Sequence, residues 1–229
     1  MASGLRWFRI RKLYIKLLKM AMKKIGIFIY EGVEPIEIAI FGTLSMAKRV
    51  IPDLEMFLIS ESGGDVLLAN GLVVKAHHDF ASSPPVDALI ICGGPGWPAQ
   101  VKNTKVLQFI DAHRETLTAS VCTGAMIFAA TGLLDGKVAT TKASYADGEA
   151  DPFEVFRERF PKVGLNRAAI VDLGNQVTGG GVSLCIDTTL HVLAKLYDEE
   201  TADKVAQVIC YDVARAANLR ERGIVAGTR

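Results

Sequence analysis

The chain has 229 residues, of which 50% are hydrophobic and 22% are charged, and its formal net charge is +1. These values are typical of a soluble chain long enough to build one full hydrophobic core, so we expect one main domain. The four cysteines show no Cys-x-x-Cys pair and no zinc-like spacing to histidine, which argues against a disulfide framework or a structural metal and favours a cytoplasmic location.

The first 21 residues are predicted to form a basic amphipathic helix. They carry six basic side chains and no acid, and Trp7, Ile10 and Tyr14 share one helical stripe. Three interpretations are open: an inert extension that reflects the choice of start site, an organelle transit segment, or a helix that lies on an anionic membrane surface. Without this segment the chain has 20 basic and 25 acidic residues. This excess of negative charge argues against binding to nucleic acid.

Strands and helices are predicted to alternate from residue 23 onwards. In the first half, we expect strands over 23–30, 55–60, 87–92 and 117–121, helices over 36–50, 105–115 and 123–134, and a hairpin formed by 66–68 and 72–76. In the second half, we expect strands over 138–141, 168–172 and 176–178, and helices over 152–159, 183–197 and 200–214. This alternation predicts an α/β domain over 22–215, with a mostly parallel sheet between two helical layers, followed by a tail over 216–229.

Cys122 is the strongest candidate for a reactive side chain. It falls where a short apolar strand turns abruptly into a helix. Backbone N–H groups and the helix dipole favour a thiolate at such a position, although a cysteine in an apolar run is equally often a buried packing residue.

Further candidates follow the carboxyl ends of neighbouring strands, where ligands bind in open α/β sheets. Glu34 and Glu37 come after the first strand, and Gly93 and Gly94 come after the strand over 87–92. We expect one glutamate to face Cys122, where crowding by a thiolate raises the pKa of its carboxyl. The amides of the Gly93-Gly94 turn and of Thr123 are candidate donors to charge on a reacting substrate.

The remaining polar residues have plainer interpretations. His77 and His78 are adjacent on a strand end, so their side chains point to opposite faces and do not share a metal. Trp97 is expected either to line the pocket or to pack within its loop. The acidic residues of the loop over 147–151 are expected to be solvated, with a smaller chance of reaching the site.

Four segments together resemble the ThiJ/PfpI family of the class I glutamine amidotransferase-like superfamily. They are Gly-Val-Glu-Pro-Ile-Glu over 32–37, Ile-Cys-Gly-Gly over 91–94, Ala-Ser-Val-Cys-Thr-Gly over 119–124 and Thr-Gly-Gly-Gly-Val-Ser-Leu-Cys-Ile-Asp over 178–187. The resemblance covers about residues 22–212. It implies a flavodoxin-like three-layer sandwich with a cysteine at a strand-to-helix elbow, a homodimer, and a small-molecule substrate handled without a metal or organic cofactor.

Within that family, Thr123 directly after the cysteine and the segment over 129–134 are most similar to the isonitrile hydratase branch and to the sensor-like domains of some AraC-type regulators. The resemblance implies that Cys122 is the nucleophile, Glu37 the acidic partner, and Gly94 with Thr123 the stabilising backbone donors. Gly93 and Trp97 complete the expected substrate site.

Two positions depart from that branch. Glu37 stands where aspartate is frequent, and Lys142 stands where many relatives have a histidine. A lysine does not replace an imidazole as a base unless its pKa is strongly lowered. The alternatives are therefore glyoxalase-like or deglycase-like action on small α-oxoaldehydes, and a non-catalytic redox or ligand sensor built around Cys122.

Overall fold

The computed structural model describes residues 22–227, so the amphipathic helix expected over 1–21 lies outside the described residues. In chain order the elements are β1 (Lys24–Phe28), α1 (Ala39–Ala47), β2 (Glu55–Ile59), β3 (Gly64–Leu67), β4 (Val73–Ala76), β5 (Ala88–Ile91), α2 (Trp97–Gln100), α3 (Thr104–Ala112), β6 (Leu117–Val121), α4 (Gly124–Ala130), β7 (Val138–Ala139), α5 (Pro152–Arg159), β8 (Gly164–Leu165), β9 (Ile170–Asp172), β10 (Gln176–Gly179), α6 (Leu184–Leu196), α7 (Glu199–Val208), α8 (Asp212–Arg222) and β11 (Ile224–Ala226).

A seven-stranded sheet with the order β11-β9-β10-β6-β5-β1-β2 forms the centre of the fold. The five strands from β10 to β2 run parallel, whereas β9 is antiparallel to β10 and β11 is parallel to β9. Every residue of β5 and β6 is buried, as expected for central strands covered on both faces. The carboxyl ends of β1, β5 and β6 therefore meet at one edge of the sheet.

Helices cover the sheet in two groups. Helix α6 packs on β6 and β10 and contacts α1 and α7, while α4 packs on β5 and β6 and contacts α2 and α3. The largest fully buried side chains include Phe28 and Phe128. The predicted flavodoxin-like three-layer sandwich with a mostly parallel sheet is confirmed.

Most predicted elements of the first half are confirmed, with shorter bounds. Residues Pro35–Ile38 form a 3-10 turn before α1, because Pro35 opens the turn and Glu34 is still extended. Helix α4 ends at Ala130 and is followed by a turn in which Gly132 has φ of 79°. The short helix α2 was not predicted.

The strand predicted over 138–141 is only two residues long and does not join the main sheet. It pairs in parallel with β8, which was not predicted. Strand pairing ends at Thr140 and Thr141. Their hydroxyls donate to the carbonyls of Ala168 and Cys122 respectively. At these two residues, side-chain hydrogen bonds take the place of the backbone hydrogen bonds between paired strands.

The single helix predicted over 200–214 is wrong. Two helices, α7 and α8, occupy this region because Cys210 takes a left-handed conformation with φ of 56° between them. The predicted boundary at 215 falls inside α8, and β11 beyond it pairs with β9 at the sheet edge. Among residues 22–227, no helix is long and apolar enough to cross a membrane.

Candidate active site

Cys122 lies at the elbow between β6 and α4, as predicted. Its φ is 54°, a left-handed conformation that is uncommon for a residue other than glycine. Its N–H donates to the carbonyl of Gly179 at 3.2 Å, and its own carbonyl accepts from the hydroxyl of Thr141 at 2.8 Å. These bonds hold the strained backbone, so the orientation of the sulfur is set by neighbouring elements.

Two glycines allow the backbone to pass close to Cys122. A Cβ added at Gly93 would lie 2.6 Å from the Cβ of Cys122, and one added at Gly181 would lie 2.8 Å from its sulfur. Both distances are shorter than a non-bonded contact permits. Any larger residue at either position would displace the thiol.

Glu37 is fully buried and lies in the 3-10 turn that follows β1. Its Oε2 accepts from the N–H of Gly93 at 3.0 Å, and its carboxyl lies close enough to the Cys122 thiol for each group to shift the pKa of the other. The second oxygen, Oε1, has no hydrogen-bond partner among the described residues. Of the two glutamates considered in the sequence, Glu37 is therefore the one that contacts the sulfur.

Burial raises the pKa of the Glu37 carboxyl to about 8, partly offset by the N–H of Gly93 and by Cys122. The sequence led us to expect this rise from crowding by the thiolate, but burial is its main cause and Cys122 itself lowers the pKa of Glu37. A carboxyl with this pKa carries its proton at neutral pH. It is thus available as a general acid.

The pKa of Cys122 does not follow the expectation of a lowered value. Burial and then the nearby Glu37 raise it to about 12, against smaller lowering effects from the N–H groups of Thr123 and Val182 and from Lys142. Desolvation therefore outweighs the helix N-terminus here. The contribution of Glu37 disappears whenever that carboxyl holds its proton, so the two groups titrate as a coupled pair that exchanges one proton.

The amides of the Gly93-Gly94 turn are already bonded to protein acceptors. The N–H of Gly93 donates to Glu37, and the N–H of Gly94 donates to Oγ1 of Thr123 at 2.9 Å. The structure thus differs from the predicted role of these amides as free donors to substrate. Instead, the turn holds the Glu37 carboxyl and the Thr123 side chain in place.

The N–H groups that point at the sulfur are those of Thr123 and Val182. The Thr123 amide was expected, but Val182 was not singled out from the sequence. Val182 has φ of 59°, an outlier for a β-branched residue. The three glycines over 179–181 that precede it were the available signal of an unusual backbone at this point.

A cavity of about 430 Å³ opens at the sulfur. It is lined by Glu34, Ile36, Gly94, Pro95, Trp97, Cys122, Thr123, Lys142, Glu149 and Val182. Trp97 therefore lines the pocket, and the guanidinium of Arg159 lies 5.0 Å from the centre of its ring. This volume suits a small organic molecule.

Lys142, which stands where the family resemblance led us to expect a histidine, lines the cavity. Its ammonium forms an ion pair with Glu149 at 2.7 Å. Glu149 of the acidic loop therefore reaches the site. Asp151 of the same loop instead caps α5 by accepting from the N–H of Phe153 at 2.8 Å.

None of the four histidines, all of which lie within residues 22–227, lines this cavity. Nδ1 of His77 accepts from the N–H of Leu58 at 2.9 Å, and Nε2 of His191 contacts Asp172 at 2.8 Å. Across the described part of the chain, no cluster of three or more His, Cys, Asp or Glu side chains has a geometry suited to a metal ion.

Comparison with known proteins places these features in a family. Residues 23–195 match the DJ-1/PfpI family, which confirms the resemblance carried by the four sequence segments. The chain is 31% identical to isonitrile hydratase of Pseudomonas putida over 159 residues, which cover 68% of this chain and 65% of that protein. The chain thus spans slightly less than two thirds of that relative.

Other relatives have different roles. The HTH-type transcriptional regulator GbdR of Pseudomonas aeruginosa is 26% identical over 69% of this chain and 41% of its own length. The crystal structure of Drosophila melanogaster DJ-1beta matches with a TM-score of 0.69 and 18% identity, covering 82% of this chain and 97% of that one. This structural likeness supports the fold alone, while the sequence relatives include both an enzyme and a regulator.

Proposed function

The chain belongs to the DJ-1/PfpI family, and we propose that it is a cysteine-dependent enzyme of the isonitrile hydratase type. Such an enzyme adds water to an isonitrile, R–NC, to give the N-substituted formamide, R–NH–CHO. The observation that carries the proposal is the buried pair of Cys122 and Glu37 at the wall of a small cavity. The 31% identity to the Pseudomonas putida enzyme supports the choice of reaction.

The pair reacts in the form that carries one proton, on Glu37, after the thiol proton has been released to solvent. In the first step, the Cys122 thiolate forms a bond to the terminal isonitrile carbon. The proton of Glu37 moves to the same carbon, which gives a thioformimidate, R–N=CH–S–Cys122, and leaves Glu37 as a carboxylate. The proton that Glu37 holds at neutral pH is thus used where negative charge builds. The N–H groups of Thr123 and Val182 stabilise the sulfur while it is an anion.

In the second step, water resolves the thioformimidate. The Glu37 carboxylate takes a proton from water as the oxygen bonds to carbon, and it passes that proton to nitrogen. The C–S bond then breaks, the hydroxyl proton returns to Glu37, and the formamide leaves with the thiolate restored. Every proton exchanged with the substrate passes through one carboxyl, so a histidine is not needed at the position of Lys142.

A second candidate is ligand sensing without turnover. It is favoured by the 26% identity to the regulator GbdR and by the raised pKa of Cys122, which disfavours a permanently ionised thiol. In that case the cavity binds a small molecule and the Cys122–Glu37 pair reports it. The two candidates differ in whether product accumulates.

The test is to incubate the purified full chain with a small isonitrile and, separately, with methylglyoxal. Product is followed by NMR, and adducts are followed by intact mass. Cys122→Ala and Glu37→Gln are the test variants. Their controls are Cys210→Ala and Glu154→Gln, which remove an exposed thiol and an exposed carboxylate outside the cavity.

We expect formamide from the wild type and both controls, and none from Cys122→Ala or Glu37→Gln. Lactate from methylglyoxal, with no formamide, would move the protein to the glyoxalase-like alternative. Saturable binding of the isonitrile without product or adduct would favour the sensor. Formamide production that survives in Cys122→Ala would contradict the proposed nucleophile.

A further inference from the structure

One wall of the cavity at Cys122 is apolar and is built around Trp97. The side chains of Ile36 and Val182 line the same cavity and are 42% and 39% exposed. Exposed apolar surface inside a concave site gains free energy when a ligand covers it. This wall therefore suits the substituent of a substrate whose reacting atom lies at the sulfur.

The backbone at Trp97 is fixed by the turn before α2. The N–H of Trp97 donates to the carbonyl of Gly94 at 3.1 Å, and the N–H of Gly96 donates to the carbonyl of Gly32 at 3.1 Å. A Cβ added at Gly96 would lie 2.0 Å from the carbonyl oxygen of Glu31, so the turn packs directly on the β1–α1 loop. The indole extends from this fixed base, and its orientation depends on the groups around the ring.

Arg159, the last residue of α5, contacts the indole from outside the cavity. Its guanidinium lies over the ring, 5.0 Å from the ring centre, and Arg159 does not line the cavity. The helix that carries it is anchored by the buried side chains of Phe153 and Phe156. Arg159 forms no ion pair among residues 22–227. A guanidinium stacked on one face of an indole orients the ring and leaves its other face to the cavity.

The charges around the cavity favour a neutral substituent at this wall. Lys142 and Glu149 pair with each other at 2.7 Å, and the carboxylate of Glu34 repels an anion. A cation on the cavity side of Trp97 is repelled by Arg159 on the other side of the ring. Among neutral groups, an aromatic ring gains more than an aliphatic ring of the same size, because stacked aromatic pairs are stabilised beyond the area they bury.

We infer, on the basis of the function proposed above, that the enzyme selects isonitriles with a neutral aromatic substituent. The aromatic ring of the substrate stacks on Trp97, and the terminal isonitrile carbon lies at the sulfur of Cys122. Arg159 is a positioning residue, because it contacts the indole and not the substrate.

The test compares two isonitriles of similar size, benzyl isonitrile and cyclohexylmethyl isonitrile. Initial rates give kcat and KM, and NMR titration of the full chain gives the Kd of the two products, N-benzylformamide and N-(cyclohexylmethyl)formamide. We expect KM and Kd to be about fivefold lower for the aromatic member of each pair. We expect kcat to be similar for both isonitriles, since the wall contacts a part of the substrate that does not react.

Variants of the wall assign this preference to the ring. Trp97→Leu keeps an apolar side chain and should bind both members of each pair equally. Arg159→Gln leaves the indole in place, so it tests the wall without removing a packed side chain. It should raise KM and Kd about twofold for the aromatic compounds alone, and Arg159→Lys, which retains a cation, should restore them. The matched control is Arg157→Gln in the same helix, whose guanidinium pairs with Glu154 and should not affect the preference.

Tryptophan fluorescence reports the contact directly. The chain has two tryptophans, Trp7 and Trp97, so Trp97 is the only source of this emission in Trp7→Phe. N-benzylformamide is expected to change the emission with the Kd found by NMR, and the same change is expected in Trp7→Phe combined with Cys122→Ala.

Four results would overturn the inference: no saturable binding of N-benzylformamide, equal affinity of the wild type for both formamides, an aromatic preference that survives in Trp97→Leu, or an equal loss for both compounds in Arg159→Gln. The last result would assign Arg159 a structural role only. Turnover of both isonitriles with equal KM would leave the proposed reaction intact and exclude the aromatic selection. Absence of turnover, with N-benzylformamide still bound preferentially through Trp97, would exclude the reaction and retain the aromatic site.

Discussion

The carboxyl of Glu37 and the thiol of Cys122 lie close enough to shift each other's pKa although both side chains are almost fully buried. Within residues 22–227 neither group has a cationic partner at bonding distance, and burial raises the pKa of both. The cost of charging one of them is increased when the other is already charged. The pair therefore holds at least one proton through the neutral range, and that proton is the one the proposed reaction moves.

The first prediction concerns stability and pH. The pKa of Glu37 is about 8 in the folded protein against 4.5 for an unperturbed glutamate side chain, so the folded state holds this proton more tightly than the unfolded state. The stabilisation is complete below pH 4.5 and is lost as pH rises through about 8. In Glu37→Gln we expect this loss to be absent, a difference on the order of 1 kcal/mol per pH unit between these limits.

Urea unfolding of both proteins at pH 5, 6, 7 and 8 measures the free energy of unfolding directly. Glu154→Gln, which changes an exposed carboxylate, should retain the slope of the wild type. Parallel slopes for wild type and Glu37→Gln would show that the Glu37 carboxyl is not held protonated by the fold.

The second prediction concerns Thr123, whose hydroxyl accepts the N–H of Gly94 at 2.9 Å. Thr123→Val keeps the shape of the side chain but leaves that amide without its acceptor, which costs about 1–2 kcal/mol. The turn that holds Glu37 then loosens, and formamide production should fall. Thr123→Ser retains the hydroxyl and should restore most of both properties, as judged by thermal unfolding and initial rates.

The sequence was sufficient to place Cys122 and Glu37 together, because each follows a buried strand and parallel strands end at a common edge. Short, nearly continuous apolar runs indicated β1, β5 and β6, and these strands carry the candidate site. Where local pattern and tertiary packing agree, the sequence is read correctly.

The features that the sequence did not predict have a different origin. The sequence does not reveal that the amides of Gly93 and Gly94 are already bonded, because those bonds join residues far apart along the chain. The break at Cys210 and the conformation of Val182 are also unpredictable, since left-handed backbone at non-glycine residues contradicts local preference. The raised pKa of Cys122 depends on burial, which the helix N-terminus alone does not indicate.

The third prediction concerns Gly181, where a Cβ would lie 2.8 Å from the Cys122 sulfur and 2.9 Å from Cβ of Lys142. In Gly181→Ala the sulfur must move, so alkylation of Cys122 by iodoacetamide and formamide production should both change by about tenfold or more, since reactivity follows the environment of the thiol. The control is Gly42→Ala in α1, where a Cβ meets no atom within 4 Å. It should stabilise the protein by about 1 kcal/mol and leave the thiol reactivity unaltered.

The fourth prediction concerns Val182, whose N–H points at the sulfur from a left-handed conformation with φ of 59°. Its side chain is 39% exposed, so Val182→Gly loses little packing and relieves backbone strain, for a gain of about 1 kcal/mol in the free energy of unfolding. The same freedom lets the amide turn away from Cys122, and formamide production should fall although the protein is more stable.

The matched control is Val213→Gly, which changes a valine with 78% exposure in the regular helix α8. Glycine is a poorer helix former than valine, so this variant should lose about 0.5 kcal/mol and keep the activity of the wild type. The thermal midpoints of the two variants are therefore expected to move in opposite directions, and the initial rate is expected to fall only in Val182→Gly. If Val182→Gly is destabilised like Val213→Gly, the backbone at Val182 is not strained. The position of the Val182 amide beside the sulfur then does not lower the stability of the protein.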